Sequence, residues 1–146
     1  MTRRAVLSLW FAALIAVPGL AHHSSTMFDD TKTVTLEGIV KEFQYVSPHS
    51  WLSVDVTGAD GKVTRWRFEA EGPSSLMLMQ VAPVDFTAGT KVTVSGHPMK
   101  DGRPAAWWTK AVRADGTEFY PRGRAAAGAW APSSWRPSPY NLYVYR

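Results

Sequence analysis

From position 33 onward apolar and polar residues alternate with a period of two, interrupted by glycine, proline and aspartate, and this rhythm predicts short β-strands. A first strand over 33–45 carries Val34 and Leu36, breaks at Gly38, and resumes with Ile39, Phe43 and Tyr45 opposite Val40. A glycine where the alternation changes phase predicts a bulge or bend, the device by which one long strand serves both faces of a small barrel. Ser47-Pro48-His49-Ser50 interrupts the pattern, and a second strand follows with Leu52, Val54 and Val56 on one side and Trp51, Ser53 and Asp55 on the other. Asp60-Gly61 marks a hairpin, because glycine supplies the positive φ that such a turn requires. The third strand, 63–70, assigns Thr64, Trp66, Phe68 and Ala70 to the core and Arg65, Arg67 and Glu69 to solvent.

The period then lengthens. Gly72-Pro73-Ser74-Ser75 opens a short helix with Ser74 or Ser75 as N-cap and 76–81 as body, ended by Pro83. Strands over 91–96 and 105–113 follow, separated by the Asp101-Gly102 turn, and a short piece at 118–120 closes the pattern. Three strands, one helix and two strands is the order of the OB fold. The predicted fold is therefore mainly β: a small five-stranded OB-like β-barrel with one short helix between strands 3 and 4. An open sandwich is the alternative, since periodicity does not show whether strand 1 meets strand 4 or whether the barrel closes through strand 5.

The flanks read differently. Arg3 and Arg4 precede an apolar run over 5–17, and Pro18-Gly19-Leu20-Ala21 puts small residues where a signal peptidase needs them. The run is short of the ~20 residues that span a bilayer. Residues 1–21 are thus expected to be a signal peptide cut after Ala21, leaving a periplasmic or secreted protein without a stable membrane anchor. The paired arginines also partly match the twin-arginine export signal, with ordinary secretion the simpler route. Residues 22–120 are expected to form the OB-like domain with an N-terminal arm, which Met27 and Phe28 tuck down. Residues 121–146 form a tail of proline, alanine, arginine and aromatics, mostly disordered. Its last stretch, 140–145, has the alternation of a strand that adds to the domain or to a protein partner.

Charge and cysteine narrow the classes. The formal charge of +4 includes Arg3 and Arg4, and the tail carries four arginines and no acid, so residues 22–120 are close to neutral. That balance predicts no nucleic-acid partner. The absence of cysteine removes disulfides, thiolate metal sites and cysteine nucleophiles. Glu37, Glu42, Glu69 and Glu71 supply carboxylates that nothing in the sequence pairs, and there is no Gly-x-Ser-x-Gly elbow. No catalytic residue is assigned, and a non-enzymatic binding protein is the expectation.

The sharpest chemistry lies at Ala21-His22-His23-Ser24. A cut after Ala21 makes His22 the first residue, with an α-amine and an imidazole that are both good donors to copper or another transition metal once deprotonated. His23 stands beside it. A histidine from the body would complete the set: His49, in the Pro48 loop, is the first choice and His97, before Pro98, the second, with Met27 or Met99 as a thioether. The plain alternative makes His22 and His23 a polar terminus and His49 a loop histidine packed on Trp51 or bonded to a carbonyl. The rings of Trp51, Trp107 and Trp108 carry a second hypothesis, a metal-free ligand-binding or adaptor module that uses an aromatic barrel face and the tail. A copper oxidase built on the terminal histidine is a third.

Taken together, Ala21-His22-His23-Ser24, Pro48-His49-Ser50-Trp51, Asp60-Gly61-Lys62, Gly72-Pro73-Ser74, Gly89 before Val92-Thr93-Val94-Ser95-Gly96, and Asp101-Gly102 resemble an uncharacterised family of exported bacterial proteins, domain of unknown function 6152. The resemblance covers roughly 22–120 and implies an exported, mostly β domain without an established activity. Ser47, where the family pattern has asparagine, and the methionine-rich 76–79 stretch depart from it.

Overall fold

A computed structural model describes residues 24–123. A 3-10 turn (Ser24–Met27) leads into β1 (Val34–Gln44), β2 (His49–Thr57), β3 (Val63–Glu71), α1 (Pro73–Leu78), a second 3-10 turn (Pro83–Phe86), β4 (Lys91–Pro98), β5 (Ala105–Arg113) and β6 (Glu118–Phe119). The strands are hydrogen-bonded in the order β3-β2-β1-β4-β5-β6, and a parallel pairing of β3 with β5 closes β1 to β5 into a barrel. The OB-like barrel holds and the open sandwich does not. Among the described residues no helix is long and apolar enough to cross a membrane.

β1 is long because it serves two partners. Its first half pairs with β4, from Val34 opposite Gly96 to Ile39 opposite Lys91, and its second half with β2, from Ile39 opposite Asp55 to Gln44 opposite Trp51. The register shift falls between Val40 and Glu42, two residues beyond the glycine break expected at Gly38. Gly38 answers to a different need: a Cβ there would stand 2.5 Å from the carbonyl oxygen of Asp55 and 2.6 Å from Val54 Cγ1. The glycine lets β1 cross tightly over β2 at the change of partner.

Inward alternation fills the barrel with Val40, Leu52, Val54, Phe68, Ala70, Val92, Val94, Ala106, Trp108 and Ala111. Trp108 is the largest of these, and Phe86 meets its ring edge-on at 5.1 Å between centroids, with Phe43 edge-on at 5.9 Å. Burial of such rings holds a domain that has no disulfide to lean on.

α1 is capped by Gly72 with Pro73 at its first position, and neither Ser74 nor Ser75 caps it. The reason is local: the extended φ and ψ of Gly72 already suit a cap, and proline is at ease where the first helical N–H has no partner. Gly72 also lies against the Pro48 carbonyl, 2.8 Å from where a Cβ would stand. Tyr45 donates its hydroxyl hydrogen bond to the Pro73 carbonyl at 3.0 Å, tying the helix to β1, and burial raises the pKa of the phenol. The helix ends with Gln80 at a φ of 59°, an unusual value for a residue with a side chain, which returns Val81 to the core and pairs its N–H with the Leu76 carbonyl.

The tight crossing at Gly38 yields a prediction. Gly38→Ala, which forces β1 off Asp55 and Val54, should lower unfolding free energy by about 1–3 kcal/mol, read as a lower urea midpoint at unchanged slope. A midpoint equal to that of the parent protein would show that the crossing has room.

Candidate functional site

The barrel's outer face carries a row set by strand register. Gln44 on β1 stands opposite Trp51 on β2, Trp51 opposite Glu69 on β3, Glu69 beside Trp107 on β5, and Trp107 opposite His97 on β4. Paired residues share a face, and the neighbours Leu52, Phe68, Ala106 and Trp108 point inward. Trp108, expected among the ligand-contacting rings, is therefore corrected to a core residue: it is fully buried, and of the adjacent pair only Trp107 turns outward.

The row has company from outside the sheet. The N-terminal arm runs antiparallel to the segment after β4: Asp29 donates its N–H to the Pro98 carbonyl at 2.8 Å, Lys100 donates its N–H to the Met27 carbonyl at 2.9 Å, and Phe28 bridges to Met99. Lys100 Nζ adds a bond of 3.0 Å to the Thr26 carbonyl. Phe28, 3 % exposed, stands edge-on to Trp107 with centroids 5.5 Å apart. The expectation that Met27 and Phe28 pin the arm is met by Phe28 alone; Met27 is exposed and Met99 is buried.

His97 is oriented by the turn that follows the arm. Asp29 bonds to Lys32 and to the Thr31 hydroxyl, and these contacts hold its carboxyl down to about 2. The turn so shaped offers the Lys32 carbonyl to His97 Nδ1 at 2.7 Å. A carbonyl only accepts, so Nδ1 carries the proton, and in that tautomer Nε2 presents a lone pair. His97, Thr26, Phe28, Asp30, Lys100, Trp107, Thr109 and Arg122 line an open cleft of about 510 Å³ between arm and barrel.

His49 looks elsewhere. It begins β2 opposite Glu71, and its Nδ1 lies 3.2 Å from Glu69 Oε1, close enough for an ion pair but without hydrogen-bond alignment. Three strand spacings, roughly 14 Å of sheet, separate the backbones of His49 and His97, and outward side chains on a convex barrel diverge. Donors to one metal ion must lie within about 4 Å of each other, because each sits about 2 Å from it. The two histidines therefore cannot share an ion. Among the described residues no group of three histidine, aspartate or glutamate side chains is arranged to hold a metal. His22 and His23 lie outside the described residues.

Glu69 is the residue that sequence reasoning missed. Expected on a solvated face, it is 3 % exposed. Trp107 flanks it, and Arg122, from beyond the predicted domain end, reaches in to pair with Glu71 and to stack 4.0 Å over the Trp107 ring. Pro121 beside it is fully buried, so the packed domain runs at least to Gly123 and not to 120. Burial lowers the Arg122 pKa against the opposing pull of Glu71, and its Nε finds no hydrogen-bond partner among the described residues. Trp51 carries a matching load: the Arg67 guanidinium stands 4.4 Å over its ring. One face of each outward tryptophan is thus already taken by an arginine.

The profile of DUF6152, a family of unknown function, matches residues 11–107. The chain belongs to DUF6152. No curated protein and no solved structure matches it. The DUF6152 match takes in the arm, His22, His23, His49 and His97, β1 to β4, and β5 as far as Trp107, and it stops short of Arg122.

The arm's hold on the barrel depends on one ring. Phe28→Ala should cost about 3 kcal/mol of stability, and the amides of Asp29 and Lys100 should exchange with deuterium far faster while those of β2 and β3 keep their order of protection. Unchanged exchange at Asp29 and Lys100 would mean that the backbone bonds hold the arm by themselves.

Proposed function

We propose that this member of DUF6152 is an exported, non-enzymatic binding protein that holds a transition metal ion, copper foremost. The ion's donors are the α-amine and imidazole of His22 after cleavage at Ala21, His23 beside them, and His97 from the barrel. One observation supports the choice of His97 over His49. The arm leads away from Thr26, which lines the same cleft as His97, and His97 has Nδ1 engaged by a backbone carbonyl, the usual setting of a metal-bound histidine. Thr26 is four residue steps from His22, a span of at most about 14 Å. Nitrogen donors of this kind favour copper over the earlier divalent metals.

The metal-free alternative has less support. A ligand that stacks on an aromatic face needs open rings, and Trp51 and Trp107 each have a guanidinium on one face. On the faces so covered a stacking ligand would have to displace an arginine, which for Trp107 the Arg122 pair with Glu71 opposes.

The test uses the exported protein, purified without a tag, in native mass spectrometry with one equivalent of copper. The expected mature mass begins at His22 with one copper retained. His22→Ala and His97→Ala should each weaken retention by about tenfold or more, while His49→Ala leaves it unchanged. Acidification should release the ion, since protons compete for the amine and the imidazoles. A mass that begins elsewhere, or equal retention by the His22→Ala protein, would overturn the proposal.

A further inference from the structure

α1 buries Leu76 and leaves Met77, Leu78 and Met79 outward, 70 %, 74 % and 40 % exposed, with Val84 in the next turn at 57 %. Four large apolar side chains within eight positions make a surface that soluble proteins seldom leave bare. The described chain ends at its edge. Tyr120 and Pro121 are buried, Gly123 donates its N–H to the Tyr120 carbonyl at 2.9 Å and takes a φ of 78°, and Met79 Sδ lies 3.7 Å from where a Cβ on Gly123 would stand. Arg122, paired with Glu71 and stacked on Trp107, fixes this exit.

We propose that the segment 124–146 of the same chain covers this surface, with Trp130 and Trp135 seated on Met77, Leu78 and Met79. Three considerations select that occupant. The segment follows directly on Gly123, whose backbone lies beside Met79, and Trp130 is seven residues beyond Gly123, a reach of up to about 25 Å that takes in the whole of α1. Its composition fits: it carries Trp130, Trp135, Tyr140, Leu142, Tyr143, Val144 and Tyr145 with no acidic residue, and aromatic rings are good neighbours for thioethers. Its tether gives it an effective concentration on the order of millimolar, above that of a free partner or a second copy. The proposal is independent of the metal site, since none of its residues is a proposed donor.

Methionine oxidation reads it directly. The full mature chain and its Trp130→Ala/Trp135→Ala variant are exposed to dilute peroxide, and each methionine is followed by peptide mass spectrometry. Met77 and Met79 should oxidise about fivefold or more faster in the variant, while Met27 in the arm and buried Met99 keep their rates. A second variant, with Tyr140, Tyr143 and Tyr145 also changed to alanine, guards against substitution of one ring for another. Equal rates at Met77 and Met79 in the parent and both variants would overturn the proposal. So would protection that appears only as protein concentration rises, which would assign the surface to a second copy.

Discussion

The parallel pairing of β3 with β5 is the contact on which the rest of the molecule depends. Three residue pairs, Arg67 with Ala105, Phe68 with Ala106 and Glu69 with Trp107, close the barrel and leave no free edge on either strand there. The same three pairs decide what meets outside. They bring Glu69 beside Trp107, and with it a carboxylate from the first half of the chain under an arginine from the last described turn. They also place Trp107 between Glu69 and His97, where the arm's Phe28 packs against its ring at a near-perpendicular angle. A slip of one residue would turn Trp107 inward and Trp108 outward, and would empty the core of its largest side chain.

Much of this was legible in the chain. The alternation of Leu52, Val54, Phe68 and Ala70, the Asp60-Gly61 turn and the helical interruption after Gly72 are local signals, and local signals name the strands and their order. What escaped was set by partners distant in sequence. Glu69 reads as solvent-facing because its own strand puts it there, and it is buried by residues 38 and 53 positions away. The orientation of His97 is set by the Lys32 carbonyl, 65 residues away, for which no spacing rule exists. The bulge was misplaced for a subtler reason. A glycine marks either a bulge or a close approach, and at Gly38 the sequence carries only the mark.

His49, Glu69, Glu71 and Arg122 form a polar knot beside the Trp107 ring. Two acids face one arginine and one histidine, and the arginine is nearly excluded from water, so its guanidinium is held by Glu71 and by the Trp107 ring at a desolvation cost that lowers its pKa. Such groups seldom stabilise a fold by much, since an apolar set of the same volume does as well or better. Their effect here is on geometry: Arg122 has one seat, and the chain that follows has one exit.

That exit and the arm share a wall. Trp107 takes the Phe28 edge on one side and the Arg122 guanidinium on its face, so the two ends of the described chain converge on one side chain. The DUF6152 profile contains the arm and Trp107 but not Arg122. The arm and His97 therefore belong to the part of the molecule that the family profile describes, whereas Arg122, which lines the same cleft, comes from outside it. Two ends held by one ring cannot rearrange independently: any movement that lifts Phe28 uncovers part of Trp107, and any that lifts Arg122 uncovers a face of the ring and leaves Glu71 without its cation. Convergence on Trp107 is the physical route by which an event at the N-terminal arm would be felt where the C-terminal segment begins.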